Sequence, residues 1–61
     1  METREKIFKY IHANPKKSIT EIAIGLKINR MTVSKYCYSL ESSGLIVMSR
    51  QGMKKVYEGK K

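Results

Sequence analysis

Six cations crowd the middle of this 61-residue sequence. Lys27, Arg30, Lys35, Arg50, Lys54 and Lys55 stand against Glu41 alone, a balance of +5 over residues 27–55. Residues 1–26 carry Arg4, Lys6, Lys9, Lys16 and Lys17 against Glu2, Glu5 and Glu21, a balance of +2, and Lys60 and Lys61 against Glu58 complete the net +8. Such groups bond phosphate oxygens, and a field of this strength on a small chain draws nucleic acid or an anionic membrane surface. Hydroxyls at Thr32 and Ser34, the thioether of Met31 and the ring of Tyr38 lie among the cations.

Other chemistries lack their residues. There is no Asp, the five Glu are scattered, and Gly25, Gly44, Gly52 and Gly59 form no phosphate-cradling loop, so no enzyme is expected. One Cys and one His make neither an internal disulfide nor a closed zinc site, so no metal and no cofactor are expected, and no small-molecule ligand is evident. No apolar run approaches the ~20 residues of a membrane span, and the start METREKIFKY has no apolar signal-peptide core. The lone thiol of Cys37 suits a reducing compartment, so the expected location is the cytoplasm, at the nucleoid. A hydrophobic content of 41% with seven isoleucines is too apolar for a disordered basic tail. One domain spanning 1–61 is expected. A chain so short buries only about 60% of its unfolded surface, which leaves it marginal and invites a second copy.

The elements that must carry the cations follow from periodicity. Ile7, Phe8 and Ile11 fall at helical spacing and predict a helix over about 3–13, ended by Asn14-Pro15. Ser18 and Glu21 form a capping box that opens a second helix over about 19–26, with Ile22, Ala23 and Leu26 inward. Asn29 is an N-cap for a third helix over about 30–43, whose inner stripe is Val33, Cys37 and Leu40 and whose natural C-cap is Gly44. The opposite face reads Met31, Lys35, Tyr38 and Ser42, flanked by Thr32, Ser34 and Ser39. After Gly44, Leu45–Met48 is a β-prone run, Gln51-Gly52 a turn signal and Lys55–Tyr57 a return strand, which gives a hairpin over about 45–58 with a basic tip. Gly59-Lys60-Lys61 is expected to fray. The fold class is mainly α with a small β-hairpin.

This order, and the residues Glu21-Ile22-Ala23, Leu26, Ile28, Thr32-Val33-Ser34-Lys35-Tyr36, Leu40-Glu41 and Gly44-Leu45-Ile46, resemble the winged helix-turn-helix of MarR-, ArsR- and Lrp-type prokaryotic and archaeal regulators. The resemblance covers about residues 3 to 58. It implies a three-helix core plus a two-stranded wing that binds double-stranded DNA and regulates transcription. The dimerising terminal helices and effector domains of those families have no counterpart here, so the sequence resembles the bare reading module.

The resemblance puts the third helix in the major groove, where its first turns read base edges. Lys35 then donates to guanine or phosphate, Thr32 and Met31 contact thymine methyls, Ser34 bonds almost any base, Arg30 takes a phosphate, and Lys27 counts among the DNA-binding residues. Free N–H groups near Ser18 and Thr20 hold a further phosphate. Arg50, Gln51, Lys54 and Lys55 on the wing grip the backbone or reach the minor groove, so Lys54→Ala should weaken all sites alike. Tyr38 either joins the contact or packs sideways against the wing. Cys37 reads as a buried small hydrophobe rather than a redox sensor. A homodimer on two half-sites, joined through Tyr10 and the outer face of the first helix or through the tail, would raise the modest affinity of one module. Two alternatives are a protein-interaction winged helix, which predicts an acidic or mixed face, and a Zα-type reader of left-handed DNA or of RNA. Tyr38-Ser39-Leu40 is similar to the recognition helix of Zα domains, but Ser34 stands where they carry Asn, and residues 51–57 lack their Pro-Pro and Trp.

Overall fold

A computed structural model describes residues 2–60; Lys61 of the predicted fraying tail lies outside them. Three helices, α1 (Thr3–Ala13), α2 (Ile19–Leu26) and α3 (Arg30–Ser42), precede two strands, β1 (Ile46–Gln51) and β2 (Lys54–Gly59). The fold is the winged helix that the sequence pattern implies.

Each boundary has a local cause. The Asn14 side chain donates to the Tyr10 carbonyl at 3.1 Å and closes α1 just before Pro15. At α2, Ser18 N–H donates to Glu21 Oε1 at 3.0 Å and Glu21 N–H donates to Ser18 Oγ at 3.2 Å, a complete capping box. Lys27 ends α2 in the left-handed conformation (φ +56°), and Ile28 N–H reaches back to the Ala23 carbonyl at 3.0 Å. That closure turns the chain sharply enough for Asn29 to cap α3, its Oδ1 accepting Met31 N–H at 2.8 Å. Ser43 follows α3, and Gly44 (φ +76°) redirects the chain into β1.

The core draws on every element. Ile7 and Ile11 of α1, Ile22 and Ala23 of α2, Val33, Cys37 and Leu40 of α3, and Ile46, Val56 and Tyr57 of the hairpin are all buried. Each fully buried aliphatic side chain contributes roughly 1.5–3 kcal/mol relative to exposure. Cys37 lies wholly inside, and desolvation pushes its thiol up to about 11, which makes it an inert core residue. Phe8 is half-buried at the margin, edge-on to His12 with ring centroids 4.4 Å apart.

The hairpin pairs antiparallel with Met48 opposite Tyr57, Arg50 opposite Lys55 and Gln51 opposite Lys54. Its loop is Gly52-Met53, one residue beyond the Gln51-Gly52 turn signal. Gly52 has φ +65° and Met53 is not left-handed, as in a II′ turn, where glycine takes the first central position. Sequence patterning missed a third contribution to the sheet. Lys17 forms a single bridge to Tyr57, with Tyr57 N–H donating to the Lys17 carbonyl at 2.8 Å and Lys16 N–H to the Tyr57 carbonyl at 2.9 Å. This bridge ties the α1–α2 connection to β2.

The place of Tyr10 departs from expectation. It is half-buried, with its ring lying against Gly25 of α2 so closely that a Cβ there would overlap it. Tyr10 therefore serves packing between α1 and α2 and does not stand free on the outer face of the first helix. The tail also starts later than expected, because Gly59 is still paired with Ile46.

Candidate nucleic-acid interface

With Val33, Cys37 and Leu40 turned into the core, α3 is forced to present its other side to solvent. Met31 is 81% and Tyr38 74% exposed, and Arg30, Ser34 and Lys35 are exposed with them. Exposure on that scale means that Tyr38 projects outward and does not pack on the wing. Lys35 Nζ lies 5.8 Å from the centroid of the Tyr36 ring, which steadies the ammonium without neutralising it. Thr32 is half-buried and, at 100° per residue, lies on the flank opposite Arg30 and Ser34.

Two shallow grooves extend this face. Arg30, Met31 and Ser34 line one together with Ile19 from the first turn of α2. The other runs from Ser18, Thr20 and Glu21 at the start of α2 to Met53, Lys54 and Lys55 at the wing tip. The start of α2 is thus flanked by α3 on one side and the hairpin on the other. Lys27 lies at the far end of α2, exposed in the turn, and lines neither groove.

Strand alternation sorts the wing cations. Arg50 and Lys55 are direct partners and share one face; Gln51 and Lys54 share the other. Like charges placed opposite each other on a hairpin oppose its pairing. Among the described residues, no acid lies within ion-pairing distance of Arg30, Lys35, Arg50 or Lys55.

Lys54 is different. Its Nζ is 2.9 Å from Glu21 Oε1, and Lys17 Nζ is 3.9 Å from Glu21 Oε2. The Lys54 ammonium and the Ser18 N–H together hold the Glu21 carboxyl well below the usual carboxylate range, at about 2. Both ends of the Lys54 pair are substantially exposed, so it adds little to stability. What it does is tether the wing to α2. The local capping box was legible in the sequence; this second partner of Glu21, far along the chain, was not.

The capping box also fixes what Ser18 has to offer a ligand. The Ser18 N–H is spent on Glu21 Oε1, so that backbone donor is taken; the hydroxyl oxygen accepts the Glu21 N–H and keeps its own O–H to donate. Thr20, two residues further, is exposed and has no hydrogen bond of its own to the cap. Sequence reasoning also passed over Met53, which is fully exposed at the wing tip between the cationic strand ends.

Comparison with known proteins places this architecture. The chain is similar to the transcriptional regulator SlyA (TM-score 0.90, 19% identity), covering all of this chain and 45% of that one. It is similar to the apo-Zα domain of zebrafish PKZ (TM-score 0.87, 20% identity), over 95% of this chain and 91% of that one. It is also similar to the homodimeric winged helix-turn-helix DNA-binding domain, fragment 1–100, of Mb0332 from Mycobacterium bovis, a possible ArsR-family transcriptional regulator. There the TM-score is 0.80 at 27% identity, over 92% of this chain and 51% of the fragment. The chain thus spans about half the length of the SlyA and Mb0332 structures. No curated protein matches the sequence. The family model described as winged helix-turn-helix DNA-binding matches residues 2–47, which take in all three helices and the entry into the wing. With its helices, caps and hairpin in that order, the chain belongs to the winged helix-turn-helix DNA-binding family.

Proposed function

We propose that this chain binds double-stranded DNA with sequence preference and acts in transcriptional regulation. The observation that carries this reading is the wing pair Arg50–Lys55. Two cations face each other with no acid within ion-pairing distance among the described residues, on the hairpin that flanks a solvent-facing helix bearing Arg30 and Lys35. A duplex backbone supplies the missing anions.

In the proposed complex α3 lies in the major groove. Met31, Ser34, Lys35 and Tyr38 meet base edges there, Thr32 contributes from the flank, and Arg30 takes a phosphate beside α2. The N–H groups of Ile19 and Thr20 hold the neighbouring phosphate. Arg50, Gln51 and Lys55 follow the backbone toward the minor groove. A single module of this size covers roughly 600–1,000 Å² of protein surface. Two copies on half-sites one helical turn apart would raise the affinity, an assembly for which the homodimeric Mb0332 domain is a precedent.

The test is a salt titration of duplex binding. With about four to six phosphates neutralised per chain, log affinity should fall against log salt with a slope of about −4 to −5. A flat dependence contradicts the reading. Sedimentation of the same samples reports the assembly, and a chain that stays monomeric at high micromolar concentration and on a two-half-site duplex removes the dimer.

A further inference from the structure

We propose that Glu21 withholds Lys54 from the DNA backbone and so sets the sequence-independent part of the affinity. The inference rests on the DNA-binding reading and adds a residue that opposes it.

Glu21 is the one acid lining the groove between the start of α2 and the wing tip. It is not a loose surface carboxylate. Its Oε1 accepts the Ser18 N–H at 3.0 Å and the Lys54 ammonium at 2.9 Å, so the capping box fixes the position from which it holds Lys54. A cation already paired with a fixed carboxylate contributes no net charge toward a phosphate. To take a phosphate Lys54 must either leave that carboxylate or bring the phosphate beside it, and each lowers the gain. Lys55 and Arg50, on the opposite face of the hairpin, have no such partner among the described residues. The wing therefore presents two active cations and one restrained one.

The consequence falls on non-specific binding, which is almost wholly a matter of phosphates neutralised. Restraining one lysine lowers affinity for every sequence by the same factor and leaves the α3 side chains untouched, so the ratio of specific to random sites stays as it is while the absolute hold on any duplex falls.

The experiment follows binding of a mixed-sequence duplex across a salt series, for the wild type, Glu21→Gln, Lys54→Ala and the double variant. Glutamine retains the amide oxygen that accepts the Ser18 N–H, so the capping box and the fold survive the change. Releasing Lys54 adds about one phosphate contact. Glu21→Gln should therefore tighten binding about tenfold at 50 mM salt and about threefold at 200 mM, and steepen the slope by about 0.9. In the Lys54→Ala background the same substitution should leave the slope unchanged. A Glu21→Gln slope equal to that of the wild type overturns the proposal, and so does an equal steepening with Lys54 absent. Wild-type binding that ignores salt overturns the DNA-binding reading itself, and this proposal with it; a steep wild-type slope that Glu21→Gln fails to change overturns this proposal alone.

Discussion

Lys35 and Lys55 are both exposed and unpaired among the described residues, yet the fold gives them different work. Lys35 stands on α3 beside Ser34 and near Tyr38, on the face that the proposed complex sets against base edges. Lys55 stands on a hairpin strand opposite Arg50, and the proposed complex sets it against the DNA backbone. Lys35→Ala should therefore narrow the difference between a preferred site and random duplex, by about 1–3 kcal/mol at the position it reads. Lys55→Ala should weaken all duplexes together and flatten the salt slope by about 1. Competition binding on a selected site and a scrambled one separates the two; equal effects on discrimination would remove Lys35 from the base-reading set. Lys54 shows why charge counting alone is insufficient. By type it belongs with Arg50 and Lys55, but strand alternation turns it toward Glu21.

At the scale of elements, the helices were legible and the connections between them only in part. Ser18 with Glu21, Asn29, and the stripe of Val33, Cys37 and Leu40 are signals within a few residues of one another, and local backbone geometry acts at that range. The Lys17–Tyr57 bridge and the Glu21–Lys54 pair join residues far apart in sequence. A one-residue bridge has no alternation to detect, and an ion pair leaves no periodic trace. Tyr10 read as a surface ring because nothing local announces that Gly25 lies beneath it. The wing depends on one backbone choice. Gly52 holds φ +65° with no atom near its missing Cβ, so Gly52→Ala meets no clash and suffers only from the left-handed conformation, at about 1–2 kcal/mol. The expected result is faster amide exchange in β1 and β2, unchanged exchange in α1, and weaker duplex binding, because Arg50 and Lys55 lose their fixed spacing. Uniformly faster exchange through all three helices would show that the wing is no separate unit.

For the whole molecule, the fold divides the surface by purpose. The core takes the inner faces of all three helices and the base of the hairpin, which leaves α3 and the wing tip as the exposed cationic side. Arg4, Lys6 and Lys9 give α1 positive charge too, but no wing or capped helix start flanks them. Net charge alone does not choose between these two faces; the geometry of the grooves does. Backbone amide shifts of the ¹⁵N-labelled protein, followed as a mixed-sequence duplex is added at low salt, test that choice most directly. The account predicts that the largest changes fall on Arg30–Tyr38, on Arg50–Lys55 and at Thr20, with Arg4, Lys6 and Lys9 little moved. Changes centred on α1, or none anywhere, would contradict it.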